Sequence, residues 1–284
     1  MFEHQPILTL VCPDQPGIVA AVTTFLADNG CNILQSAQFD DIATNRFFMR
    51  LCFSKEAGTT FTSLKEGFAP IGHRFDMKWH LYDAQHTTKI LIMCSKMDHC
   101  LLDLLHRQKR GELRADIRAV VSNHEDSRPL TASYDIPYHH FPITKEIKKA
   151  QEQRLRDLIE EEEVELIILA RYMQVLSEDF CRDYEGRLIN IHHSFLPSFK
   201  GARPYHQAHD KGVKLIGATA HFVTADLDEG PIIEQGVERV DHAMTPHQFI
   251  ETGRDIERQT LAKAVKYFIE KRVLLNGSKT VVFR

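Results

Sequence analysis

Residues 187–234 read RLINIHHSFLPSFKGARPYHQAHDKGVKLIGATAHFVTADLDEGPIIE. Two apolar runs typical of strands, Leu188 to Ile191 and Ala218 to Val223, lie in this segment with a loop between them. Side chains of alternate residues in a strand point to the same face, so Asn190 and His192 are expected to face one cleft. The segment therefore predicts an amide and an imidazole side by side at the end of a strand.

A carboxylate follows the second apolar run. Asp228 lies in the turn-rich stretch from Asp226 to Pro231. An amide that donates to an oxyanion, an imidazole that moves a proton and a carboxylate that orients or activates form the minimum set for attack on a carbonyl. Taken singly, the residues are ambiguous. A histidine after a strand is more often packed or solvated, and an aspartate beside Gly-Pro is usually a turn former.

The composition fits one or two globular domains. Of the 284 residues, 43% are hydrophobic, and a formal net charge of −4 without a Lys/Arg block argues against a nucleic-acid partner. No apolar run has membrane length and no signal-peptide pattern opens the sequence, so no membrane partner is expected. Six cysteines without framework spacing predict free thiols and a cytoplasmic location. Because no zinc-type spacing occurs, we expect no metal.

The first 83 residues have the pattern of a small ferredoxin-like domain. Helical spacing of apolar residues follows the turn at Pro13 to Gly17, and a second helix is predicted over Thr59 to Gly72. Strands are predicted at Ile7 to Cys12, Asn32 to Phe39, Arg46 to Phe53 and Asp76 to Tyr82. The resulting order is β-α-β-β-α-β.

A polar linker over residues 84–88 precedes a second predicted domain, residues 89–284. Strands alternate with helices here, which predicts an α/β fold with a mostly parallel, Rossmann-like sheet. One helix is expected to be capped by Thr144 and to run to about Glu162, and a long one to begin at Thr245-Pro246. Strands are predicted at Lys89 to Cys94, Ile117 to Ser122, Val164 to Ala170 and Leu188 to Ile191. Ligands bind beyond the carboxyl ends of such strands, so the loops after them are the expected site.

Four motifs of the quoted segment carry a resemblance to a known family. They are Asn190-Ile191-His192, Leu196 to Gly201 (LPSFKG), His221 to Val223 and Asp228 to Ile233. Together they resemble the core of the 10-formyltetrahydrofolate transformylase and hydrolase family. The resemblance implies that Asn190, His192 and Asp228 are catalytic, with His221 and Ser194 in support. It also implies that 10-formyltetrahydrofolate is the substrate and that no further cofactor is needed.

A second loop resembles the part of that family that holds the folate. Residues 169–176 read LARYMQVL. An extended backbone can read the donors and acceptors on one edge of a pterin, which fits main-chain contacts from Gln174 and Leu176 and apolar walls from Tyr172, Met173 and Val175. The other side would be closed by the loop containing Thr224, Ala225, Asp226 and Leu227. An ordinary strand-to-helix connection is the alternative.

The opening of the chain resembles an ACT domain. The similarity lies in Leu10 to Val19 (LVCPDQPGIV) and in Asn29 to Ile33 (NGCNI). It implies edge-to-edge assembly into a homo-oligomer, a dimer or a tetramer, and an amino-acid effector of the glycine or methionine class. The expected effector contacts are Asp14, Gly17, Ile18 and Asn32. The alternative is a domain that only mediates oligomerisation.

The loop after the first strand of the second domain separates the possible activities. Transformylases that act on glycinamide ribonucleotide carry a glycine-rich loop there, whose N–H groups hold a phosphate. Residues 95–100 read SKMDHC, without glycine and with a negative Asp98. This favours water as the acceptor, and the whole chain resembles the formyltetrahydrofolate deformylases. Such enzymes release formate for purine biosynthesis and balance the one-carbon folate pool. The alternatives are a glycinamide ribonucleotide formyltransferase and a non-catalytic ACT amino-acid sensor.

Overall fold

A computed structural model describes residues 5–83, 85–194 and 204–284. The chain divides into two compact units. The first contains the residues up to His86 together with Glu270–Asn276 and Val281–Arg284, and the second contains Thr87–Ile269 and Gly277–Thr280. In the described residues, no helix combines the length and apolar character needed to cross a membrane.

The first unit has the predicted β-α-β-β-α-β order. Its elements are β1 (Ile7–Pro13), α1 (Ile18–Asp28), β2 (Cys31–Asp41), β3 (Arg46–Lys55), α2 (Phe61–Arg74) and β4 (Lys78–Tyr82). The antiparallel sheet has the order β2-β3-β1-β4. Ile18, Val22 and Leu26 recur on one side of α1 and are buried in the core of this unit. The ferredoxin-like prediction is confirmed.

The second unit is built on a seven-stranded sheet. Its elements are β5 (Thr88–Cys94), α3 (His99–Lys109), β6 (Ala115–Ser122), α4 (Arg128–Ala132), β7 (Tyr138–His140), α5 (Lys148–Glu161), β8 (Leu166–Leu169), α6 (Glu178–Asp183), β9 (Leu188–His192), α7 (Pro204–Asp210), β10 (Leu215–Phe222), β11 (Ile232–Arg239) and α8 (Pro246–Ile269). The order is β11-β10-β9-β8-β5-β6-β7. The neighbouring strands β9, β8, β5, β6 and β7 pair in parallel. Strand β10 pairs antiparallel with both β9 and β11. The mostly parallel α/β sheet is confirmed.

Of the two helix starts predicted from capping residues, one is correct and one is wrong. Pro246 begins the 24-residue α8, and the Gln248 N–H donates to the Thr245 hydroxyl at 3.3 Å, as in an N-cap. The cap predicted at Thr144 is wrong. Helix α5 begins only at Lys148, and the Thr144 hydroxyl donates to the Glu146 carboxylate at 2.6 Å instead of accepting from the backbone. A side chain that bonds locally in this way competes with the cap.

The C-terminal segment forms a hairpin of β12 (Val273–Asn276) and β13 (Lys279–Val282). Leu274 and Phe283 are buried with Val11 and Phe48 of the first unit. The structure therefore divides the chain near the predicted linker but assigns these C-terminal segments to the first unit, whereas the sequence prediction placed all of residues 89–284 in the second domain. An apolar pattern shows that a strand is buried, but it does not identify the sheet against which the strand packs.

Candidate active site

Strand β9 carries the amide and the imidazole singled out by the sequence. Its antiparallel partner β10 sets His221 directly opposite Asn190 and Thr219 opposite His192. The side-chain nitrogen of Asn190 lies 3.3 Å from Nε2 of His221. His192 and His221 are both buried. The register of these two strands thus adds a second histidine to the predicted pair.

Asp228 lies in the loop after β10 and connects the two imidazoles. Its Oδ1 is 3.2 Å from Nδ1 of His192 and 3.7 Å from Nε2 of His221. The hydrogen bond from Nδ1 of His192 is the main interaction that holds the pKa of the Asp228 carboxyl well below its usual range, and the nearby His221 imidazole is the second, although partial burial acts in the opposite direction. Asp228 is therefore the anionic centre of a cluster with Asn190, His192 and His221.

The loop that carries Asp228 has little conformational freedom. Asp228 has φ 58°, in the left-handed region that aspartate tolerates better than most residues. A Cβ on Gly230 would lie 1.8 Å from the carbonyl oxygen of Phe222, so only glycine fits there. The Phe222 N–H donates to the carbonyl of Pro231 at 2.9 Å, which closes the loop on the end of β10. These contacts hold the carboxylate in place.

The hydrogen bonds assign the ring protons. Nδ1 of His221 lies 2.8 Å from the carbonyl oxygen of Phe222 and therefore donates, so its Nε2 accepts from the Asn190 amide. Nδ1 of His192 faces the Asp228 carboxylate and also carries a proton. Nε2 of His192 is buried and has no hydrogen-bond partner among the described residues. A buried polar atom without a partner is uncommon, and a role in proton transfer is one explanation for it.

The loop predicted to hold the folate follows β8, and hydrogen bonds fix its main chain. Arg171, at its start, has φ 65°. The Met173 N–H donates to the Ser95 hydroxyl at 3.0 Å, and the Ser177 N–H donates to Oε1 of Glu152 at 2.9 Å. Ser95, from the loop that lacks glycine, is therefore a support for the neighbouring loop. A backbone held in this way can present its amides and carbonyls to a ligand.

The side chains of this loop divide between surface and core. Met173 and Val175 are 57% and 61% exposed, and Leu227 in the loop after β10 is 64% exposed. Tyr172 is buried in the core of the second unit. This loop forms one side of a pocket that lies against α5. The loop residues that line the pocket are Tyr172, Gln174, Val175 and Leu176. Met173, Val175 and Leu227 are thus the large apolar side chains that these two loops expose.

The remaining predicted site residues have less distinctive surroundings. The Thr224 hydroxyl donates to the carbonyl of Asp226 at 3.1 Å, and Ala225 and Asp226 are exposed. Ser194 is buried, and its carbonyl accepts from the Thr219 hydroxyl at 3.1 Å. The motif over residues 196–201 lies outside the described residues.

A second buried carboxylate, which the sequence analysis did not single out, lies on α8. Glu257 is 1% exposed. Its Oε1 accepts from the Tyr205 hydroxyl at 2.6 Å, and its Oε2 is 2.8 Å from Nε2 of His99 and 3.3 Å from Nε of Arg171. Burial opposes its charge, yet the bond from His99 and the Arg171 charge lower the pKa of Glu257. We call His99, Arg171, Tyr205 and Glu257 the Glu257 cluster.

One sequence feature could have pointed to this cluster. Gly253 precedes Glu257 by four residues, so both lie on one side of α8. A Cβ on Gly253 would lie 2.2 Å from the ring of Tyr205. The glycine therefore makes room for the ring that carries the hydroxyl to Glu257.

The four effector contacts predicted in the ACT-like unit differ in exposure. Gly17 has φ 92° and stands at the start of α1. Asp14 and Asn32 are exposed. The side chain of Ile18 is buried in the core, so only its backbone is available to a ligand.

Comparison with known families defines the class. The ACT domain model matches residues 7–65, and the formyl transferase model matches residues 88–265. The chain is therefore an ACT domain followed by a formyl transferase domain.

Comparison with individual proteins narrows the family. The formyltetrahydrofolate deformylase of Corynebacterium sp. (strain P-1) is 48% identical, and the match covers 98% of each chain. The crystal structure of formyltetrahydrofolate deformylase from Burkholderia mallei superposes with a TM-score of 0.95 at 55% identity, covering 99% of this chain and 100% of that one. A glycinamide ribonucleotide transformylase from Symbiobacterium toebii matches 72% of this chain and 98% of its own, at 26% identity and a TM-score of 0.66. The chain belongs to the formyltetrahydrofolate deformylases.

Proposed function

We propose that this chain hydrolyses 10-formyltetrahydrofolate to formate and tetrahydrofolate. The observation that carries the proposal is the His192 ring. Nδ1 of this ring is held by the Asp228 carboxylate, and Nε2 is buried without a partner in the described part of the chain. A neutral imidazole held in this tautomer is a base ready to accept a proton. Relatives that match nearly the full chain carry the name formyltetrahydrofolate deformylase, which supports the same substrate.

In this mechanism His192 activates the water. Nε2 accepts a proton as the water oxygen attacks the formyl carbon, and the Asp228 carboxylate stabilises the imidazolium that forms. The imidazolium then returns the proton to N10 as the bond between the formyl carbon and N10 breaks. Positioned acid–base catalysis of this kind contributes roughly 10²- to 10⁴-fold to a rate.

Asn190 stabilises the tetrahedral intermediate. One N–H of its amide donates to His221, which fixes the orientation of the amide and leaves the second N–H for the developing oxyanion. A single donor of this type is worth about 3–4 kcal/mol in the transition state. His221 is therefore a positioning residue, because its Nδ1 proton is committed to the Phe222 carbonyl.

The two loops beside this cluster would hold the folate. Main-chain groups of Gln174 and Leu176 would read the pterin, and exposed Met173, Val175 and Leu227 would pack on its faces. The proposed chemistry uses no cofactor beyond the folate and water: His192 moves the proton and Asn190 donates to the oxyanion.

The ACT domain would bind a small effector and join subunits. An amino acid of the glycine or methionine class is the effector that we propose, at the turn containing Asp14 and Gly17 and at Asn32. Asp14, Gly17 and Asn32 are exposed, so the start of α1 is open to a ligand. We further propose a homo-oligomer, a dimer or a tetramer. The six free, buried thiols support a location in the reducing cytoplasm.

One assay distinguishes hydrolysis from its alternatives. The enzyme is incubated with 10-formyltetrahydrofolate in ¹⁸O-labelled water, with and without millimolar glycinamide ribonucleotide, and formate, tetrahydrofolate and formylated nucleotide are measured. We expect formate that carries the label, at a rate indifferent to the nucleotide. Formyl transfer to the nucleotide would support the transferase, and no turnover with intact folate binding would support the non-catalytic sensor.

A further inference from the structure

The Glu257 cluster joins segments that lie at the same edge of the sheet as Asn190 and His192. His99 begins α3 after β5, and Arg171 lies two residues beyond the end of β8. The carboxyl ends of parallel strands meet at one edge, so both residues stand beside the site. Tyr205 reaches the carboxylate from α7. One buried anion on α8 therefore connects three separate segments around the site.

The partners of Glu257 satisfy its charge. Arg171 supplies a guanidinium on a side chain that is 12% exposed; its buried Nε lies 3.3 Å from the carboxylate as an ion pair without good hydrogen-bond alignment. Tyr205 and His99 complete the shell. The ligand atoms of His99, Cys100 and Glu257 lie within 4.8 Å of one another, which would suit a metal. However, burial raises the pKa of the Cys100 thiol well above its usual value, and Arg171 already supplies the positive charge.

Glu257 pairs with Arg171, a residue whose backbone conformation is unfavourable for a side chain with a Cβ. Arg171 has φ 65°, a conformation that non-glycine residues adopt only when their surroundings hold them there. Tyr172 follows it, and the loop runs on to Leu176. Ser95 and Glu152 hold the middle and the end of this loop by hydrogen bonds to backbone N–H groups. Glu257 is the corresponding support at the start.

The cluster also adjoins the catalytic ring. The rings of His192 and His193 are 5.0 Å apart between centroids. Burial, and then the charge of Arg171, lower the pKa of His193 to about 4, so the residue beside His192 stays neutral. Arg171 is thus close enough to influence both the folate loop and the neighbour of His192.

We propose that Glu257 is a positioning residue for the folate substrate: it holds Arg171, and through Arg171 the start of the loop from Tyr172 to Leu176, without contacting the folate. The inference rests on the proposed function, because it concerns the site for the same substrate. Removing the negative charge of Glu257 leaves the largely buried guanidinium of Arg171 without this ion pair. The loop is then expected to shift, which weakens folate binding more than it slows the chemical step.

The test compares Glu257→Gln, Arg171→Met and the double variant. We expect KM for 10-formyltetrahydrofolate to rise about tenfold in each, with kcat changed less than about threefold. The double variant should be no worse than either single variant, because both remove the same link. Binding of tetrahydrofolate is measured by calorimetry as a readout that does not depend on turnover.

Glu234→Gln is the matched control. Glu234, on β11, is also buried, and its Oε2 pairs at 3.0 Å with Lys263 of α8, the helix that carries Glu257. This variant should lose thermal stability with unchanged KM and tetrahydrofolate affinity. Tyr205→Phe keeps the ring on Gly253 and removes only the hydroxyl, so it provides a well-folded variant with an expected KM increase of about two- to threefold.

Two results would overturn the inference. One is that Glu257→Gln and Tyr205→Phe lower the melting temperature as Glu234→Gln does but bind tetrahydrofolate like wild type. The other is additive effects of Glu257→Gln and Arg171→Met on KM. If wild type binds tetrahydrofolate but releases no formate, the proposed function fails, while the calorimetric comparison still decides the role of Glu257.

Discussion

Two carboxylates at the same edge of the sheet, Asp228 and Glu257, have similar partners but different surroundings. Each contacts histidine, and in each the pKa of the carboxyl lies below its ordinary value. Asp228 engages His192 in a way that leaves Nε2 of the ring unpartnered among the described residues. Glu257 receives a tyrosine hydroxyl, an imidazole and a guanidinium. The arrangement at Asp228 keeps a group free for chemistry, whereas the arrangement at Glu257 satisfies its charge.

The two carboxylates also lie on different kinds of secondary-structure element. Asp228 stands in a loop with a left-handed backbone, held by the close approach of Gly230 to Phe222. Glu257 lies in the interior of a 24-residue helix whose backbone is regular. A loop at a sheet edge can direct a carboxylate toward a ligand, and a helix packed on the sheet can bury one as an anchor.

Replacing the reactive carboxylate should have the largest effect. Asp228→Asn keeps the shape of the side chain but no longer holds Nδ1–H of His192 or stabilises the imidazolium. We expect kcat to fall by about two orders of magnitude or more, with tetrahydrofolate affinity largely intact. Steady-state kinetics and calorimetry check both statements. Glu229→Gln, at the exposed neighbouring position, is the control. Turnover within threefold of wild type would remove Asp228 from the mechanism.

Moving the same carboxylate without changing it should have the next largest effect. A Cβ at position 230 would lie 1.8 Å from a backbone oxygen, so Gly230→Ala must displace the loop that carries Asp228. Displacements of about 1 Å can cost up to about 10²-fold, and we expect kcat to fall about 10- to 100-fold. Gly58→Ala, where no atom lies within 4 Å of the added Cβ, should behave like wild type. Equal kinetics for the two variants would show that the loop adapts.

The sequence predicted much of the first arrangement and none of the second. The alternation of Asn190 and His192 follows from strand geometry, and the motif around Asp228 was visible as a resemblance. Glu257 is distant in the sequence from the other members of its cluster, in a helix where glutamate is an ordinary surface residue. Its burial depends on Tyr205, which packs on Gly253, and a linear pattern does not record such a contact.

The same limit applies to the C-terminal hairpin. Its second strand, β13, is followed directly by Phe283. Its packing with Val11 and Phe48 joins residues at opposite ends of the sequence. Local periodicity reports which side of an element is buried, while the partner is chosen by the tertiary fold.

Gly253→Ala should disturb the Glu257 cluster less than a direct replacement of Glu257. Alanine favours a helix over glycine by about 1 kcal/mol, so Gly253→Ala would stabilise an unobstructed helix. Here the Cβ would lie 2.2 Å from the Tyr205 ring. We expect a net loss of about 1–3 kcal/mol in the free energy of unfolding, since overpacking outweighs propensity. KM for 10-formyltetrahydrofolate should rise a few-fold as Tyr205 leaves Glu257. Denaturant unfolding and kinetics provide the measurements, and a stabilised variant with normal KM would contradict the expectation.

The smallest expected effect is the pH dependence of stability. The pKa of the Asp228 carboxyl is lower in the folded chain than its unfolded value of about 4, so its ionised form stabilises the fold above that pH. The contribution disappears as the pH falls through the folded pKa, because the protonated carboxyl no longer attracts His192 and His221. The free energy of unfolding of wild type minus that of Asp228→Asn should therefore be constant near neutral pH and decrease in acid. Glu257→Gln should give a curve of the same sign, since the pKa of Glu257 is also lowered. Urea unfolding from about pH 3 to 7 measures both differences, and a difference that does not decrease below about pH 4 would show that the pKa of the Asp228 carboxyl is not lowered in the folded chain.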